Sequence, residues 1–145
     1  NADELRQLAA ELGITEKLQF TGHLSSEQLL PLLSATDICL VPDPSNPLND
    51  KSTMIKVMEY MALEKPVVGY DLAETKASAG EAALYAEPNN PLDMARQLHR
   101  LVEDPALREQ LGKAGRKRVE EQLSWDYSAS RLLEVYQTIR AKLSS

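Results

Sequence analysis

Cysteine, tryptophan and phenylalanine each occur once, and aromatic residues make up 5% of the 145 positions. A lone thiol leaves no internal disulfide to form, and Cys39 sits within an apolar run, so it reads as a buried core side chain in a reducing cytoplasm. There is no Asp-x-Asp, His-x-x-x-His or Cys-x-x-Cys, so neither a divalent cation nor a zinc site has support, and no cofactor is implied. Basic residues are outnumbered, 16 Lys and Arg against 22 Asp and Glu, for a formal charge of −6. A surface that tracks nucleic acid needs clustered cations, so nucleic acid is not an expected partner, whereas one bound nucleotide stays compatible. No apolar run approaches the roughly 18 residues of a membrane span, and no signal-peptide pattern opens the chain. Low-complexity tracts and internal repeats are also missing.

What remains is an ordinary globular composition, 43% hydrophobic and 26% charged, with the length of one domain. Residues 2–12 read as a helix, with Leu5, Leu8, Ala9 and Leu12 apolar, and 17–21 as a strand. Ser25 and Ser26 are placed to cap a short leucine-rich helix, in which Pro31 is tolerable only near the first turn. Short apolar runs at 37–42, 66–70 and 82–86 read as further strands. Helices are expected over 91–103, 105–115 and 124–142, with Gly112 and Gly115 as local breaks and Trp125, Leu132, Val135, Tyr136 and Ile139 on the inward face of the last. His99 falls on the polar face of its helix, a solvated position.

The stretch from Asn49 to Val68 organises the rest. Pro42, Pro44 and Pro47, with Asn46, Asn49 and Asp50, make a stiff polar loop. Ser52 and Thr53 then form a hydroxyl pair able to cap a helix whose apolar face carries Met54, Ile55, Met58, Met61 and Ala62. Unpaired amides and the positive dipole end make residues 52–55 a candidate anion site, with diphosphate the natural guest. Ser52, Lys56 and Glu59 share another face. Seven residues of helix span roughly 10 Å, shortened by the backward lean of side chains, so Glu59 is placed to take both hydroxyls of a ribose. Lys56 has two readings, a phosphate contact or an i, i+3 surface partner of Glu59. Asp71 and Glu74 follow a strand at its carboxyl end, where open α/β sheets bind ligands.

Met58-Glu59-Tyr60-Met61-Ala62 with Lys65-Pro66-Val67-Val68 resembles the "EAMA…GKPVV" block of the retaining, metal-independent family-four (group 1) glycosyltransferases, which have the GT-B fold. Leu18-Gln19-Phe20-Thr21-Gly22-His23 resembles the family's "V-x-F-x-G" strand and base-binding loop, Asp37-Ile38-Cys39-Leu40-Val41-Pro42 its "aDvfvxPS" strand, and Ser124-Trp125-Asp126 its "fsW" segment. The resemblance covers nearly the whole chain in the family's order. It implies an α/β, Rossmann-like, mostly parallel sheet flanked by helices: the C-terminal, donor-binding domain over 1–145, lacking its first two strands. In strand order 3-2-1-4-5-6 the four predicted strands are the third to the sixth. Exposed strand edges then call for a homo-oligomer or a larger parent molecule, and the acceptor-binding N-terminal domain and a basic pair that grips diphosphate lie outside this chain.

The implied reaction moves a sugar from a nucleoside diphosphate sugar to an acceptor hydroxyl with retention. The resemblance assigns the ribose to Glu59, diphosphate contacts to Ser52, Thr53 and Met54, and the base edge to Gly22 and His23. Glu74 matches a family acid in the loop after the strand. Two departures stand out. The family's second Glu, which touches the donor sugar, falls on Lys51, so either Asp50, the nearest carboxylate, takes that catalytic place through a shifted loop, or the sugar is gripped differently. Glu64 occupies the family's Gly, where a left-handed backbone costs about 1 kcal/mol if it is kept. A non-catalytic nucleotide-binding domain and a sugar-nucleotide epimerase remain as alternatives.

Overall fold

A computed structural model describes residues 2–143. The chain divides into two compact units, one ending at Leu32 and the other starting at Leu33. In the first, α1 (Ala2–Glu11) precedes a 3-10 turn at Thr15–Lys17. The predicted strand over 17–21 does not form. Leu18 is extended, but no ladder joins this segment to another strand among the described residues. Alternation of apolar residues specifies an extended backbone, and only a neighbour turns that into a strand. The helix α2 (Ser26–Ser34) follows, its entry fixed by Gln28 Oε1 accepting from the Ser25 amide at 3.1 Å. Pro31 lies in its interior, not in its first turn as expected, and removes one intrahelical bond.

The second unit is built on a three-stranded parallel sheet, β1 (Cys39–Val41), β2 (Val67–Tyr70) and β3 (Ala83–Ala86), in the order β1-β2-β3. These match the predicted strands at 37–42, 66–70 and 82–86. Val67 pairs with Cys39 and Ala83, and Val68 with Leu40 and Leu84. Because side chains alternate, consecutive valines of β2 feed two separate cores. On one face Val41, Val67 and Ala83 pack with Val57 and Met61 of α3 (Ile55–Ala62) and Ala79 of α4 (Ala73–Ala79). On the other, Val68, Tyr70 and Ala86 pack with Met94 and Leu101 of α5 (Pro91–Glu103) and Leu111 of α6 (Pro105–Arg118). Both faces being covered explains why the strands read as continuous apolar runs.

Gly112 and Gly115 were expected to break the helix around them; α6 instead runs through both. Their lack of a side chain is used for packing. A Cβ on Gly112 would lie 2.2 Å from the Glu64 carbonyl oxygen, and one on Gly115 would lie 2.9 Å from Met61 Cγ. The α3–β2 turn that α6 touches ends α3 in a Schellman arrangement, with Lys65 N–H donating to Tyr60 O and Glu64 N–H to Met61 O, each at 3.0 Å. Glu64 accordingly keeps a left-handed φ of 57°.

Beyond a π turn at Val119–Leu123, α7 (Trp125–Leu143) contains no buried residue. Trp125, Tyr136 and Ile139 of its predicted inward face are exposed. Leu132 and Val135, of that same face and also exposed, line an open groove with Tyr127, Met58 and Leu123. Along α5, Met94 and Leu101 face the core while Leu92 and Val102, though apolar, are exposed.

Gly112→Ala is expected to lower stability by about 1–3 kcal/mol, because the obstacle is backbone and cannot swing aside; urea unfolding measures it. Glu64→Gly is expected to raise stability by about 1 kcal/mol in the same assay. Burial pushes the Cys39 thiol up to about 11 from an ordinary 9.0, against a smaller opposing effect of Lys65. The unfolded chain therefore loses that proton first, so the contribution to stability is intact below pH 9.0 and is lost as pH rises through about 11. Comparing the alkaline unfolding profile with that of Cys39→Ala should show this fall only where the thiol is present.

Candidate functional site

The sheet's carboxyl end carries the loop 42–54, the opening of α3 and the opening of α4. Ser52 and Thr53 do not cap α3, which begins at Ile55 with Met54 as its N-cap residue and no side-chain cap bond. Both hydroxyls are used elsewhere. Ser52 Oγ donates to Leu48 O at 2.7 Å, closing the turn Asn49–Lys51, and Thr53 Oγ1 donates to Glu74 Oε2 at 2.8 Å. Val57 and Met61 are the fully buried residues of α3, while Ile55, expected on the apolar face, is 66% exposed. An uncapped first turn leaves backbone donors pointing out of the helix end, the arrangement an anion needs.

Around that end the structure gathers several of the predicted residues. Lys56 Nζ pairs with Asp43 at 2.9 Å, not with Glu59. Asp43 lies two residues past β1, so the pair ties α3 to the end of the strand before it. Half-buried Asp50 accepts from Ser45 Oγ at 3.2 Å through Oδ2, and its Oδ1 is shut off from solvent without a hydrogen-bond partner. Glu59, one turn beyond Lys56, is exposed. Glu74 is half-buried in the first turn of α4 and is reached by Thr53. Asp71 is tied to Lys76, which lies 2.8 Å from its carboxylate oxygens. Lys51 is exposed. Gly22, at φ 65°, and exposed His23 belong to the first unit.

Sequence reasoning passed over Asp43, Ser45 and Asn89. Residue 89, just before the helix expected at 91–103, has a left-handed φ of 61°, and Asn90 is the N-cap of α5, accepting from Asp93 N–H at 3.1 Å. Asn89 instead pairs with the backbone of Ser45 across 44 positions of sequence. An Asn-Asn pair between a strand and a Pro-initiated helix was the signal available, since Asn tolerates the left-handed region better than most residues.

The description "Glycosyl transferases group 1" belongs to the family model that matches residues 1–118. The D-inositol 3-phosphate glycosyltransferase of Thermomonospora curvata is 33% identical over 91% of this chain and 30% of its own length. An MMP alpha-(1->4)-mannosyltransferase of Mycolicibacterium hassiacum is 28% identical over 96% of the chain and 33% of its own length. Among solved structures, a sucrose-phosphate synthase from Thermosynechococcus elongatus superposes with a TM-score of 0.76 at 25% identity, covering 98% of this chain and 35% of that one. The chain thus spans about a third of the relatives it matches. Matched by family model, by sequence relatives and by the parallel sheet with its flanking helices, this chain belongs to the group 1 glycosyltransferases and has the Rossmann-like architecture of a GT-B fold.

Proposed function

We propose that this chain is the donor-binding part of a retaining glycosyltransferase that takes its sugar from a nucleoside diphosphate sugar and, with an acceptor domain outside these residues, passes it to an acceptor hydroxyl. The observation that carries this reading is the opening of α3: an uncapped helix end at Met54 with Glu59 exposed one helical turn along from Lys56.

The physical demand of the reaction is to stabilise the departing diphosphate. Backbone amides of the α3 opening supply fixed donors that need no reorganisation as charge develops. Ser52, Thr53 and Met54 bring the chain to that point, and Thr53 also fixes Glu74 beside it. Lys56 contributes little net positive charge, because Asp43 already neutralises it. Further cations for the diphosphate therefore come from outside the α3 opening. Glu59 takes the ribose hydroxyls. Asp50 is the carboxylate for the donor sugar. Its Oδ1 is closed to solvent and its Oδ2 accepts from Ser45 Oγ.

In the full-length protein, Glu59→Ala is expected to weaken binding of uridine or guanosine diphosphate by at least about 1 kcal/mol, the value of a hydrogen bond to a charged acceptor. Glu59 is exposed, so the melting temperature should stay unchanged. Calorimetric affinities equal to those of the parent would remove Glu59 from the site.

A further inference from the structure

We propose that Asn89 is a positioning residue for the nucleotide site, clamping the 43–51 loop that carries Asp50 and delivers the opening of α3; the inference rests on the donor-binding reading above. Asn89 Oδ1 accepts from the Ser45 amide at 2.8 Å, and Asn89 Nδ2 donates to the Ser45 carbonyl at 3.2 Å. A carboxamide presents a donor and an acceptor side by side, so it pairs with one residue's backbone as a neighbouring strand would. Aspartate lacks the donor and glycine lacks both. The left-handed backbone at Asn89, φ 61°, aims the side chain away from the path into α5, whose cap is left to Asn90.

Several bonds make the loop stiff without anchoring it. Asn46 Oδ1 accepts from the amides of Leu48 and Asn49, and Asn49 Nδ2 donates to Pro44 O. Besides Ser52, which closes its end onto Leu48, the loop is tied to other elements by the Asp43–Lys56 pair at its start and by the Ser45–Asn89 pair. The second holds it to the segment that follows β3. From Ser45 the connection continues through Oγ to Asp50 Oδ2 at 3.2 Å. Asp50 Oδ1 is buried and unpartnered, an arrangement that opposes this loop position unless something else holds it. Asn89 supplies that hold from 44 residues away.

The test uses the full-length protein with two variants. Asn89→Gly keeps the backbone conformation and deletes both bonds; Asn89→Asp keeps the acceptor and loses the donor. Hydrogen exchange of the ligand-free protein is read on a peptide covering 43–51, and affinity is read by calorimetry with uridine diphosphate and guanosine diphosphate. In Asn89→Gly, exchange across the loop should accelerate about tenfold while distant peptides stay unchanged. Affinity should fall about tenfold as the opening of α3 loses its fixed position. Asn89→Asp should recover part of both, which a general loss of stability would not produce. Unchanged loop exchange in Asn89→Gly overturns the clamp, and faster exchange with unaltered affinity overturns its role in positioning. Failure of the donor-binding reading registers separately, as no binding of either nucleotide by the parent protein.

Discussion

The arrangement of the larger unit depends on how α6 satisfies the ends of its neighbours. The last carbonyls of a helix have no partner within it and carry the negative end of its dipole. Three arginines of α6 reach those groups on three different helices. Arg108 donates to Leu101 O and Val102 O of α5, at 2.5 and 3.0 Å. Arg116 donates to Ala62 O at the end of α3, and Arg118 to Ser78 O and Ala77 O of α4, at 2.8 and 2.9 Å. Gly112 and Gly115 let α6 approach closely enough for this, with Met61 and the Glu64 carbonyl against them. Charge, hydrogen bonding and the absence of two side chains thus act at one junction.

That junction determines which end of the sheet is left for chemistry. In a parallel sheet the connecting helices run against the strands, so their C-termini gather at one edge and their N-termini at the other. With the C-termini closed by α6, the uncapped opening of α3 and the first turn of α4 stand at the carboxyl edge. The charges there are mostly negative. Asp43, Asp50, Glu59, Asp71 and Glu74 lie on these elements, and of the lysines beside them Lys56 is held by Asp43 and Lys76 by Asp71. Oriented amides are therefore the group's main offering to an anion, and the carboxylates suit hydroxyl-rich parts of the same ligand. A nucleoside diphosphate sugar combines both kinds of group.

Elements whose stability is local were legible in the residues. The bounds of α5 follow from Asn90 as cap, Pro91 at the first position and a break at Asp104. The three paired strands lie within the apolar runs that suggested them. The start of α3 was misplaced, because a hydroxyl pair before an apolar run signals a cap only if nothing else claims the hydroxyls. Leu48 O and Glu74 claimed them. The helical face of α7 was legible as amphipathic, but its burial was not, since a pattern says which side would pack and not what is there to receive it.

By itself, the sequence determined the three paired strands and the presence of α3, α5, α6 and α7 in the larger unit, though not of α4, together with the block from Met58 to Val68 that marks the family and the exposure of Glu59. These rest on periodicity and on neighbours a few positions apart. Only the tertiary structure decided that residues 17–21 stay unpaired, that Lys56 belongs to Asp43, that two glycines are contact points and that Asn89 grips Ser45. Each of those depends on groups far apart in the chain meeting within a few ångströms, and a linear pattern of residue types carries no such distance.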